Sequence, residues 1–120
     1  MTTPTPAEVA DVLDRAADHI DRVGWIQGGW YTVTAEAEPK DSPMDADSAL
    51  MVAAGGTPIA ALVSLTRAQT AVYYLAKAAM RHYTGYVGLV QWNDMSGRTK
   101  DEVTAVMRAA AAYQRKQVTS

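Results

Sequence analysis

At 120 residues, 48% hydrophobic and 20% charged, the chain has the size and composition of one globular domain able to bury a core without cross-links. The lack of cysteine excludes disulfides and cysteine-based zinc or redox sites. A net charge of −2 gives no general reason to expect nucleic acid.

The first 18 residues are polar, acidic and amphipathic, not basic and then apolar, so no signal peptide is expected and the protein reads as cytoplasmic. A single domain is expected over residues 1–120, with 1–5 and 118–120 frayed. Thr5-Pro6-Ala7-Glu8 opens the first helix: Thr as N-cap, Pro at the first helical position, Glu three residues after the cap. Val9, Val12, Leu13, Ala16, Ala17, Ile20 and Val23 recur at helical spacing, and Gly24 ends the helix.

Trp25 to Gly29 reads as a turn, and Trp30 to Glu36, aromatic and β-branched, as a short strand. Asp45 or Asp47 is expected to cap a short helix running to about Ala54 and stopped by Gly55-Gly56. Ser48 to Thr66 carries no charge, but Gly55-Gly56-Thr57-Pro58 divides it, and neither half approaches the ~20 apolar residues of a membrane span. Ile59 to Leu65 fits strand and helix equally.

Thr66-Arg67-Ala68-Gln69 is a second capping box, opening a helix to Tyr83 or Thr84 that Gly85 ends. Its expected apolar face is Ala68, Ala71, Val72, Leu75, Ala79 and Met80. Tyr86 to Trp92 reads as one extended piece. Thr99 and Glu102 form a third box, opening a last helix from Lys100 to about Gln117 with Val103, Val106, Met107, Ala110 and Ala111 inward. The fold class that follows is mainly α: one domain of about four helices with at most a small two-stranded β element.

Charge is unevenly spread. Residues 1–50 hold ten acidic and three basic residues, residues 51–120 three and eight, so the halves carry −7 and +5. The simplest expectation packs the acidic first helix near the basic last one, which cancels most of the field; the alternative is a dipolar surface that steers a partner.

Three features together carry a resemblance: a first helix ending in Gly24-Trp25-x-Gln27-Gly28, an Ala-rich helix in the second half, and Trp92-Asn93-Asp94 followed by Arg98-Thr99 and Glu102-Val103. In these the chain resembles a family of small uncharacterised proteins of actinobacteria and their phages. Residues 30–60 match it poorly, and the Cys that the family usually carries before a Gly-Ala pair has no counterpart between Leu50 and Gly56. The resemblance implies a fold and an origin, with the host cytoplasm as location if phage-encoded, and no activity.

Trp92, Asn93, Asp94 and Arg98 are the first candidate site. Asn93 and Asp94 either bond their own backbone, as such residues do in turns, or stand at a pocket mouth with Arg98 as an anion clamp. The second candidate is Tyr73, Tyr74, Tyr83 and Tyr86. Six Tyr, three Trp and no Phe is an unusual aromatic set, suited to half-buried and interface positions. Tyr73 and Tyr74 point about 100° apart on a helix, so at least one leaves the core face.

Gly24 to Gly29 is no phosphate loop, because it follows a helix instead of opening one. His19 and His82, far apart and without Cys, give no zinc spacing and no catalytic partner. Arg108, Arg115 and Lys116 are too few for a nucleic-acid face. With no catalytic constellation, metal set or cofactor motif, the sequence points to a non-enzymatic accessory protein that binds a host protein. The alternative is a small-molecule binder or minor enzyme with a pocket near Trp92 to Arg98. Ala-rich helix faces and surface Tyr are also compatible with a homodimer.

Overall fold

The computed structural model describes residues 3–33, 36–58, 65–86 and 88–117. Five α-helices occur among them: α1 (Pro6–Val23), α2 (Ala46–Ala53), α3 (Arg67–Thr84), α4 (Leu89–Asn93) and α5 (Lys100–Lys116), with a 3-10 turn at Pro39–Asp41. The three long helices begin where their caps dictate. Thr5, Thr66 and Thr99 each accept from the backbone N–H three residues on, while Glu8, Gln69 and Glu102 reach back to the cap N–H.

α1 and α5 form the principal helix pair, with α2 and α3 packed on α1. Val9, Val12, Leu13, Ala16, Ala17 and Ile20 face Val103, Met107, Ala110 and Ala111 in a core that also takes Leu50 and Met80. Small residues on both helices permit close approach. Outside this seam Arg115 bonds Asp11 and Asp14, Arg108 bonds Asp18 and Asp21, and Lys100 pairs with Asp21. Four acidic residues of the first half of the sequence and three basic ones of the second thus meet in one antiparallel ladder.

No sheet forms among the described residues. Two isolated bridges, Trp25 with Met44 and Tyr31 with Met44, are the extent of β pairing. The strand expected from Trp30 to Glu36 therefore reduces to the single bridge at Tyr31; residues 34–35 lie outside the described residues. The extended piece expected from Tyr86 to Trp92 is corrected as well, because Leu89–Asn93 is helical. Leu89, Trp92 and Asn93 are buried while Val90 and Gln91 are exposed, which is helical spacing. Of the undecided run Ile59 to Leu65, residues 59–64 lie outside the described residues.

Asp45, not Asp47, caps α2 by accepting from the Ser48 N–H. At Gly24 the chain leaves α1 with φ 107°, a conformation that L side chains rarely adopt, and a Cβ there would lie 3.3 Å from Pro43. This turn brings 25–32 beside 43–45: Met44 donates to Gly24 O, Thr32 to Pro43 O and Asp45 to Trp30 O.

The expected apolar face of α3 is also corrected. Tyr73, Ala76, Ala79 and Met80 are its buried residues. Ala68 is exposed, Ala71 and Val72 are half-buried, and Leu75 is 37% exposed. At 100° per residue the buried row centres roughly a quarter of a turn from the expected one, with which it shares Ala79 and Met80. The helix carries two apolar faces, and the core takes the one with the tyrosine.

Candidate functional site

The two segments that carry the resemblance meet in space. Asn93, on α4, is fully buried. Its Oδ1 accepts from the Trp25 indole N–H (2.6 Å) and the Ala46 N–H (3.0 Å). Its Nδ2 donates to Ile26 O (3.1 Å) and Asp94 Oδ1 (2.9 Å). Four hydrogen bonds satisfy the amide and tie the 24–28 turn, the start of α2 and α4 together.

The neighbours extend this junction. Gln27 Nε2 donates to the carbonyls of Asn93 (3.0 Å) and Met95 (2.8 Å), and the Gly28 N–H donates to Asp94 Oδ1 (3.0 Å). Arg98 lies over the Trp92 ring at 4.3 Å, donates through Nε to Trp92 O and pairs with Glu102 at 3.1 Å. The structure thus brings Trp92, Asn93, Asp94 and Arg98 together, and their polar groups are directed at the chain itself. Asp94 is exposed and Arg98 half-buried.

The four tyrosines do not form one patch. Tyr73 is buried and its hydroxyl donates to Asp47 Oδ1. Lys77 Nζ bonds the other Asp47 oxygen at 3.1 Å and lies 5.3 Å and 5.9 Å from the Tyr73 and Tyr74 ring centres. Burial, then the bond to Asp47, pushes the Tyr73 hydroxyl well above its ordinary pKa. Tyr74 is 59% exposed, and Tyr83 and Tyr86 are exposed near the end of α3. Tyr74 and Tyr83, nine residues apart, point to roughly opposite sides of the helix.

Sequence reasoning did not single out Asp47 as the partner of Tyr73, which lies 26 residues away. Nor did it single out the open face of α3. A groove of about 710 Å³ separates the first halves of α1 and α3 and is lined by Val12, Arg15, Ala71, Val72, Tyr74 and Leu75. A second, of about 420 Å³, runs along the same face between α3 and the end of α5, with Ala78, His82 and Tyr113. Thr3, Pro4 and Leu75 line both. The signal was present as the run Ala68, Ala71, Val72, Leu75, assigned to the core.

The histidines serve the frame. His19 Nε2 meets Lys40 O at 2.6 Å and its Nδ1 faces Arg22, so it pins the 3-10 turn to α1. The His82 ring lies tilted against Tyr113, with centroids 5.5 Å apart. Among the described residues no group of three or more His, Asp or Glu is placed to hold a metal ion. No described helix is long and apolar enough to cross a membrane.

Fold and junction together define a small, mainly helical domain whose segment after α1 is tied to α4 by part-buried polar bonds. A model of a family of unknown function, DUF6197, matches residues 4–113, and the chain belongs to that family. No curated protein and no solved structure matches the chain.

Proposed function

We propose that this chain is a non-enzymatic accessory protein that binds a host protein, and that the open face of α3 is its docking surface. The observation that carries the reading is the second apolar row of α3: Ala68, Ala71, Val72 and Leu75 edge a groove of about 710 Å³, with Val72 also touching the core. Apolar surface gathered in a groove, with Tyr74 on its wall, is what an interaction site presents. An amphipathic helix laid into a groove between two helices is the recognition mode that such a shape suits. The resemblance supports an actinobacterium or its phage as the source and the cytoplasm as the place of action.

The Trp92 to Arg98 loop has less support as a ligand pocket, because the Asn93 amide and the Arg98 guanidinium are bonded within the chain. The test is affinity capture from actinobacterial lysate with the wild type, Leu75→Glu and Tyr83→Ala. The reading expects one protein held near-stoichiometrically by the wild type and Tyr83→Ala and lost by Leu75→Glu. Equal recovery with Leu75→Glu would sink it.

A further inference from the structure

Asp45 is fully buried where three segments meet. Its N–H donates to Trp30 O (2.9 Å), and its Oδ1 caps α2 by accepting from the Ser48 N–H (2.8 Å). The N–H of the next residue, Ala46, donates to Asn93 Oδ1 at 3.0 Å. The other carboxyl oxygen, Oδ2, has no hydrogen-bond partner among the described residues. Buried polar atoms are nearly always paired, and an unpaired oxygen on an ionised carboxylate is costly.

The charges around it make ionisation harder. Asp47 on α2 and Asp94 after α4 both act on Asp45 as like charges. From α3, Lys77 and the Tyr73 hydroxyl are engaged with Asp47. From α1, Arg15, His19 and Arg22 are bonded to Ala53, Lys40 and Asp41. The 25–32 segment contains no charged residue, and Tyr31 is its one titratable group. Among the described residues no cation pairs with Asp45.

We infer that Asp45 is a proton-controlled latch: neutral, it holds the 25–32 segment and α4 against the start of α2; ionised, it loosens that junction. Burial is the main cause of its reluctance to ionise and, against the lowering by its bonds to Ser48, pushes the carboxyl from 3.8 up to about 6. For a carboxyl raised in the fold, the stabilisation is complete below 3.8 and is lost as the pH rises through about 6. The latch is therefore tight in acid and slack above neutrality.

The chain's three tryptophans all border the junction. Trp25 bonds Asn93, Trp30 lends its carbonyl to Asp45, and Trp92 precedes Asn93. The test is a titration of the wild type from pH 4 to 8, following the Asp45 carboxyl by carbon NMR and tryptophan emission in parallel, with Asp45→Asn alongside. The expected result is a carboxyl midpoint near 6 with an emission step in the same range. Asp45→Asn removes that step and raises the folding equilibrium constant above pH 7 by up to about 100-fold. A carboxyl midpoint below about 4.5 overturns the latch. So does a midpoint near 6 with no tryptophan response, or an emission step that persists in Asp45→Asn. If Asp45→Asn does not fold, the two wild-type signals decide the matter.

Discussion

Trp25 and Asn93, 68 residues apart, are joined by a part-buried indole-to-amide hydrogen bond of 2.6 Å. The Gly24 turn sets Trp25 against α4, and Asn93 spends its remaining groups on Ala46, Ile26 and Asp94. One side chain thus fixes how three segments assemble.

Asn93→Ala leaves the Trp25 and Ala46 donors and the Ile26 carbonyl without their buried partner. A cost of about 3–5 kcal/mol is expected, since each buried group stripped of its bond costs about 1–3 kcal/mol and the losses overlap. Urea unfolding measures it. A cost within about 0.5 kcal/mol, the range of surface substitutions, would remove the junction from the account.

The two faces of α3 are distinguished by a pair of truncations. Met80 is 0% exposed and Leu75 37%. Met80→Ala should cost about 2–5 kcal/mol and Leu75→Ala about 1 kcal/mol or less, because Leu75 leaves no sealed cavity. The reverse order in denaturant titrations would place Leu75 in the core.

What the sequence made legible was local. Thr5, Thr66 and Thr99 announce their helices because a capping box needs only four consecutive residues. The α1 face was legible because acidic residues fill its outer side and leave one apolar stripe. On α3 the small residues run around the helix, so no single stripe stands out, and Tyr73 looks like a surface residue until Asp47 takes its hydroxyl. α4 is five residues long, too short for a periodic signal to separate helix from strand. The junction lay half in view: the Trp25 turn and the Trp92-Asn93-Asp94 segment stood out separately, and only the fold pairs them.

The ladder between α1 and α5 is exposed, so each of its pairs should contribute about 0.2–1 kcal/mol and weaken in salt. Arg115→Ala should lower the melting temperature by a few degrees at 20 mM NaCl and by less at 1 M. A loss that is the same at both salt concentrations would mean that the arginine acts through packing of its stem.

His19 gives the pH dependence an acid limb. Burial first, then Arg22, holds the imidazole below its ordinary 6.5 despite the bond to Lys40 O and the nearby Asp41. A histidine kept neutral in the fold contributes stability that is present above 6.5 and lost as pH falls through its lower folded value. Asp45 acts in the opposite direction below about 6. His19→Gln should therefore flatten the fall in stability just below pH 6.5, as read by melting temperature. An unchanged profile would show that His19 titrates as it does in the unfolded chain.

The proposed docking face of α3 is tested most directly by a binding isotherm between the purified captured protein and wild-type or Leu75→Glu chain, with melting temperatures recorded for both. The account predicts at least a tenfold weaker Kd for Leu75→Glu, about 1.4 kcal/mol, at a melting temperature close to wild type. An unchanged Kd would show that the groove is not where the partner sits.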